Sequence, residues 1–228
     1  MRPYSAGVAG ITSEIPNIAA DTPIWLSLIA TATGALQGAL LGRQRSPKID
    51  IAGLAILALS LGFGGSVIRD VLIGNTPPEA LRHWYYIAMV VLAIVVIIAF
   101  GQEIARFAYS LFILDALTMG LFAAVGAQYA ITFHLPHLTA ILVGSFAAVG
   151  GGVAASLLLR EVPQIMRPGP PYAVAAVAGT VVYVVSEGYL GGLAPIACVI
   201  VVFAIRVIAE RKGLRTRPIR PIDEDPSA

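Results

Sequence analysis

The chain repeats itself. Shifted by 86 residues without gaps, Gly34 falls on Gly120, Val67 on Val153, Leu72 on Leu158, Pro77 on Pro163 and Tyr86 on Tyr172. Each copy centres on a glycine cluster inside an apolar run: Gly64-Gly65-Ser66 in the first, Gly150-Gly151-Gly152 in the second. Each copy also holds three runs of the length needed to cross a bilayer, about 20 apolar residues. Three is odd, so the second copy enters the membrane from the opposite side. The halves are then related by a pseudo-two-fold axis lying in the membrane plane. A seventh run has no counterpart. The expected fold class is an all-α membrane protein with seven transmembrane helices: two inverted three-helix repeats plus a seventh helix.

The seven spans fall at about 22–42, 50–73, 84–101, 104–128, 136–159, 171–188 and 190–209. The organisation follows: an N-terminal tail (1–21), a first repeat (22–101), a second, inverted repeat (104–188), a seventh span (190–209) and a basic tail (210–228). Charged residues make up only 12% of the chain, against about 25% in soluble domains, and no stretch remains for a soluble domain. The first 20 residues lack an apolar signal core and carry Glu14 and Pro16, so they read as a retained tail. The closing PIDEDPSA is expected to be disordered. The single cysteine, Cys198, lies within the seventh span and reads as a packing residue. It allows neither a disulfide nor a cysteine metal site.

Net charge is only +2, but its placement is uneven. With the N-terminus outside, twelve of the fifteen Lys and Arg fall on the inner side, counting Arg206 and the run 211–220, against Arg2, Arg69 and Arg82 outside. The positive-inside rule therefore expects an inner-membrane protein with its N-terminus outside and its C-terminus cytoplasmic. Trp25 opens span 1, and Trp84, Tyr85 and Tyr86 open span 3, as interfacial anchors do. The basic run also suits contact with anionic lipid heads. Membrane lipids are expected partners, and nucleic acid is not.

Several intramembrane residues are candidates for function. Each glycine inside a helix costs about 1 kcal/mol relative to alanine. The clusters at 64–66 and 150–152 are thus expected either to bend or unwind spans 2 and 5 beside an ion path, or to let two helices approach closely. Gly34, Gly38 and Gly42 have the spacing of close helix packing, with a direct pore-lining role as the other reading. Thr33 and Gln37 share a face of span 1, facing a wet cavity or bonding across to another helix. Arg69 and Asp70 point about 100° apart, so a direct bridge between them is not expected. Each should find a partner on another helix or water, as a pin or as a gating charge. Asp115 sits mid-span in span 4 and shares a face with Thr118 and Phe122. An acid at that depth is a functional candidate, either attracting cations beside a pore or hydrogen-bonding across helices in its protonated form. No catalytic set is present, and His83, His134 and His137 lack metal-ligand spacing. No enzyme, metal or cofactor is expected. GFGGSV at 62–67 lacks the βαβ context of a dinucleotide fingerprint.

The stretches GGSVIRDVLIGNTPP (64–78) and LRHWYYI (81–87) closely resemble the first signature of the trimeric intracellular cation (TRIC) channel family. Its prokaryotic branch shares what is also called a glycine-transporter domain. LDALTMGLFAAVGAQYA (114–130) and VGGGVAASLLLREVPQIM (149–166) are similar to its second-half signatures. The resemblance implies a homotrimer with an hourglass pore in each protomer. That pore is lined largely by kinked helices 2 and 5 and passes the monovalent cations K⁺ and Na⁺. It transfers Gly64, Gly65, Ser66, Arg69, Asp70, Asp115, Gly150, Gly151 and Gly152 as candidates. Two departures affect gating or selectivity: Ala155 and Ser156 stand where the second-half motif usually repeats the Arg-Asp pair, and Tyr129 stands where many relatives carry a basic residue. A secondary transporter of a small solute such as glycine would need the same architecture, and a non-transporting scaffold is a third reading.

Overall fold

The structure, a computed structural model, describes residues 24–45, 49–107 and 109–216. Backbone groups in hydrocarbon have no water to bond, so each apolar run closes its own hydrogen bonds as a helix. Among the described residues seven membrane-length helices result: α1 (Ile24–Arg45), α2 (Ile51–Ile73), α3 (Trp84–Arg106), α4 (Ser110–Thr132), α5 (His137–Leu158), α6 (Tyr172–Leu190) and α7 (Ala194–Arg211). The last two arise from one apolar stretch of 40 residues. It doubles back at a 3-10 turn over Gly191–Leu193, where Gly191 takes a positive φ of 48° that a side chain would resist. Asp50 caps α2 by accepting a bond from the Gly53 N–H at 2.8 Å. Gly74, at φ 77°, ends it. The expected N-terminal tail, Lys48 and the closing PIDEDPSA lie outside the described residues.

The inverted repeat dictates the packing. Helices equivalent by sequence meet across the pseudo-two-fold axis, α1 on α4 and α2 on α5. In the first repeat α3 lies against α1. In the second, α7 packs against α4, and α6 packs on both α7 and α5. The glycines explain the difference. A Cβ on Gly34 would stand 2.5 Å from the Leu61 carbonyl oxygen, so this glycine seats α1 on α2. Its repeat-mate Gly120 instead meets the Val199 Cα at 3.0 Å and seats α7. Gly38 similarly touches Leu57, which fits the packing role of small residues between membrane helices.

The two glycine clusters do meet, but not as broken helices. α2 and α5 stay helical without interruption through 64–66 and 150–152. A Cβ on Gly64 would lie 2.6 Å from the Gly151 Cα, and one on Gly65 would lie 2.6 Å from the Ala147 carbonyl oxygen. The expected unwinding is therefore corrected: backbone crosses backbone, and the glycines supply room. Summed over three residues, the propensity cost is only about 3 kcal/mol. An unwound turn would instead leave polar groups unsatisfied at several kcal/mol each.

Candidate functional site

A vestibule of about 780 Å³ opens at the end of the bundle that carries the C-termini of α1, α5 and α7. Arg45, Glu161 and Arg167 ring its mouth, with Glu161 bridging both arginines at 3.4 Å. Gln37, Leu61, Asp115, Gly152, Ser156, Tyr172 and Arg206 line it inward. At its tip a second cavity of about 10 Å³ is bordered by Gln37, Asp115, Thr118, Phe122, Gly151, Gly152 and Tyr172. Gly151 is also the residue against which Gly64 packs, so the cavity abuts the α2–α5 crossing.

Asp115 is not a bare acid at a pore wall. Its Oδ2 takes a bond from Arg206 Nη2 at 2.6 Å, and its Oδ1 accepts from Gln37 Nε2 at 2.8 Å and from the Tyr172 hydroxyl at 3.1 Å. The Arg206 guanidinium lies 4.6 Å from the Tyr172 ring centroid and 5.2 Å from that of Phe112. Charge-assisted bonds of this kind are about twice as strong as neutral ones, and the pair is largely removed from solvent. The sequence counts Arg206 only among the topology-setting charges. Its helix has no repeat-mate, so nothing in the pattern links position 206 to position 115.

A second cluster fills the opposite half. Arg69 Nε donates to Asp70 Oδ1 at 2.7 Å, which corrects the expectation that adjacent residues would not bridge. The 100° separation holds for Cβ directions, but the long arginine side chain bends back far enough to close it. Both residues are about 99–100% buried, so neither faces a wet vestibule. Asp70 Oδ2 accepts the Glu79 backbone N–H at 2.8 Å. Glu79 in turn meets Arg69 Nη2 at 3.4 Å and the hydroxyls of Tyr86 and Tyr129. The Arg69 guanidinium sits 3.6 Å from the Tyr129 ring centroid. Tyr86 is buried here rather than anchoring at the interface, whereas Trp84 is exposed.

The two clusters echo the repeat. Tyr86 and Tyr172 are repeat-mates, and each hydroxyl donates to a carboxylate that also meets an arginine. In the first half that arginine comes from α2. In the second half the equivalent positions are Ala155, packed against Leu57 and Leu61, and Ser156, bonded to its own helix. Here α7 supplies the missing cation.

Among the expected site residues, Gln37, Asp115, Thr118, Gly151 and Gly152 converge on the vestibule tip, while Arg69, Asp70 and Tyr129 form the opposite cluster. Gly64, Gly65, Ser66 and Gly150 belong to the helix crossing; all but Gly64 are buried. Thr33 does not join Gln37; its hydroxyl bonds back to Ile29 and Ala30. Arg206, Glu79 and Tyr172 are the residues that sequence reasoning missed as site members. The repeat pairing of Tyr86 with Tyr172 was the available signal for one of them. No group of three or more histidine, cysteine or acidic side chains suited to a metal occurs among the described residues.

Comparison with known proteins agrees with this architecture. The chain matches the family model described as "Glycine transporter" over residues 24–102 and 112–187, and it belongs to that family. A UPF0126 membrane protein of Deinococcus radiodurans is 35% identical over 88% of this chain and 93% of its own length. The UPF0126 inner membrane protein YadS of Escherichia coli (strain K12) is 27% identical over 70% of this chain and 76% of its own. Among solved structures, the TRIC trimeric intracellular cation channel orthologue from Rhodobacter sphaeroides superposes with a TM-score of 0.74 at 30% identity, covering 84% of this chain and 98% of that one. The chain is thus a multi-pass membrane protein with the TRIC channel fold.

Proposed function

We propose that this protein is a monovalent cation channel, passing K⁺ and Na⁺ along a path within each protomer. The observation that carries this reading is the vestibule, which runs from the basic end into the bundle and ends on an acid, a glutamine and a threonine at the α2–α5 crossing. The likeness to the Rhodobacter sphaeroides channel supports it. Beside the tip of this path Gly64 packs against Gly151. Conduction requires these helices to part there. The trimer follows the description of that same channel. The orientation, N-terminus outside and C-terminus in the cytoplasm of a cell with this inner-membrane protein, follows from the basic residues at one end of the bundle. The residue ranges 22–101 and 104–188 then act as the two repeats, with 190–209 as the added helix.

One observation favours a second reading. A vestibule that opens at one end and stops at a helix crossing is also one half of an alternating-access cycle, and the family description names glycine transport. Two measurements on the purified protein decide between these. Unitary currents in planar bilayers with K⁺ on both sides support the channel. Saturable glycine uptake into proteoliposomes without such currents refutes it in favour of the carrier.

A further inference from the structure

The buried face of α7 includes Pro195, Cys198, Val202, Arg206 and Ala209. One member is charged. A basic residue near the end of a membrane helix ordinarily extends to the interface, and Arg211, five residues on, is exposed. Arg206 instead turns inward, flanked by the rings of Phe112 and Tyr172. Stability does not account for this. A buried ion pair gains little over apolar side chains of similar volume, and Val199, on the same helix, already seats α7 at Gly120. The vestibule lining holds three cations, Arg45, Arg167 and Arg206, and three acids, Asp115, Glu161 and Glu210. Glu161 is held at the mouth between Arg45 and Arg167. At the tip the other partners of Asp115, Gln37 and Tyr172, are neutral. Among the described residues, Arg206 is thus the one full positive charge bonded to this carboxylate.

We infer that Arg206 sets the discrimination between monovalent and divalent cations, as a tethered cation that cancels the charge of Asp115 on the approach to the α2–α5 crossing. The inference rests on the channel reading. Coulomb energy is linear in the charge of the ion, so any factor by which Arg206 lowers monovalent occupancy enters squared for a divalent ion. An opposite charge within about 4–6 Å changes the proton affinity of a carboxylate by about one to three powers of ten. At the lower end, loss of Arg206 strengthens monovalent binding about tenfold and divalent binding about a hundredfold. A bare carboxylate is also how Mg²⁺ is commonly held, through one or two acids and a retained shell of water. Such an ion would lodge at the tip, because conduction needs sites weak enough to leave. Arg206 leaves the polar lining in place and removes the charge that would trap a divalent ion.

The test compares wild type, Arg206→Gln and Arg206→Lys in planar bilayers, in symmetric KCl with Mg²⁺ added to both sides. In parallel the purified proteins are titrated with Mn²⁺, and the free ion is read by electron paramagnetic resonance. In Arg206→Gln the half-blocking Mg²⁺ concentration should fall about a hundredfold, and Mn²⁺ should bind where wild type binds none. Adding Asp115→Asn to Arg206→Gln should abolish both effects. Arg206→Lys keeps the charge and should hold the wild-type Mg²⁺ response. An unchanged Mg²⁺ response in Arg206→Gln, or an Arg206→Lys variant as sensitive as Arg206→Gln, overturns the inference and leaves Arg206 a structural pin. If Arg206→Gln does not fold, Arg206→His purified at about pH 5.5, with its imidazole charged, takes its place. Mg²⁺ block should then switch on at about pH 8.5, where the imidazole is neutral, and a response as flat as that of wild type overturns the inference. If wild type passes no current, the channel reading fails and Mn²⁺ binding decides the role of the charge alone: binding gained on loss of the cation supports it, and equal binding overturns it.

Discussion

The glycine clusters make opposite demands on substitution, and a matched pair of variants separates them. Gly64→Ala places a methyl 2.6 Å from the Gly151 Cα, whereas carbon atoms settle about 3.5–4.0 Å apart. α2 and α5 must therefore separate by about 1 Å at their crossing, against backbone that cannot rotate away. Overpacking of this kind costs about 1–3 kcal/mol. Gly152→Ala, on α5, meets only the Tyr172 hydroxyl, at an ordinary 3.4 Å. Both variants replace glycine by alanine inside a helix, so both gain the same propensity, about 1 kcal/mol, and that term cancels between them. Gly64→Ala should thus be less stable than Gly152→Ala by about 1–3 kcal/mol, read as the shift in midpoint of SDS-induced unfolding in mixed micelles. Equal midpoints would refute the close-approach reading. If both fell together, the glycines would be acting as helix breakers after all.

Other substitutions probe the charges. Arg69→Met leaves Asp70 and Glu79 buried without their cation and should cost about 3–5 kcal/mol, measured by the same unfolding titration; a loss under 1 kcal/mol would show that the cluster is solvated. Glu161→Gln at the vestibule mouth removes two half-exposed bridges. It should change stability by no more than about 1 kcal/mol, an effect that disappears in high salt, as a melting series in KCl will reveal. Gly101→Val should expel Arg43, whose Nη1 lies 2.6 Å from where the new Cβ would be, and expose that arginine to a membrane-impermeant arginine reagent. Unchanged labelling would mean that the Arg43 bond to the Ile97 carbonyl survives.

The amino-acid order by itself determined the membrane class, the seven spans and the inverted pairing, because apolar run length and an odd three-span repeat act locally and need no knowledge of neighbours. It also located Asp115, Gln37 and Thr118, since a polar group is costly in hydrocarbon wherever it sits along the chain. What tertiary structure decided was who answers whom. Arg206 reaches Asp115 across 91 positions, and Glu79 draws Arg69, Tyr86 and Tyr129 into one cluster. Gly34 and Gly120, identical by pattern, receive α2 and α7 respectively. Partner choice follows the path of helices through space, and a seventh helix without a repeat-mate breaks the symmetry that a sequence reading must assume.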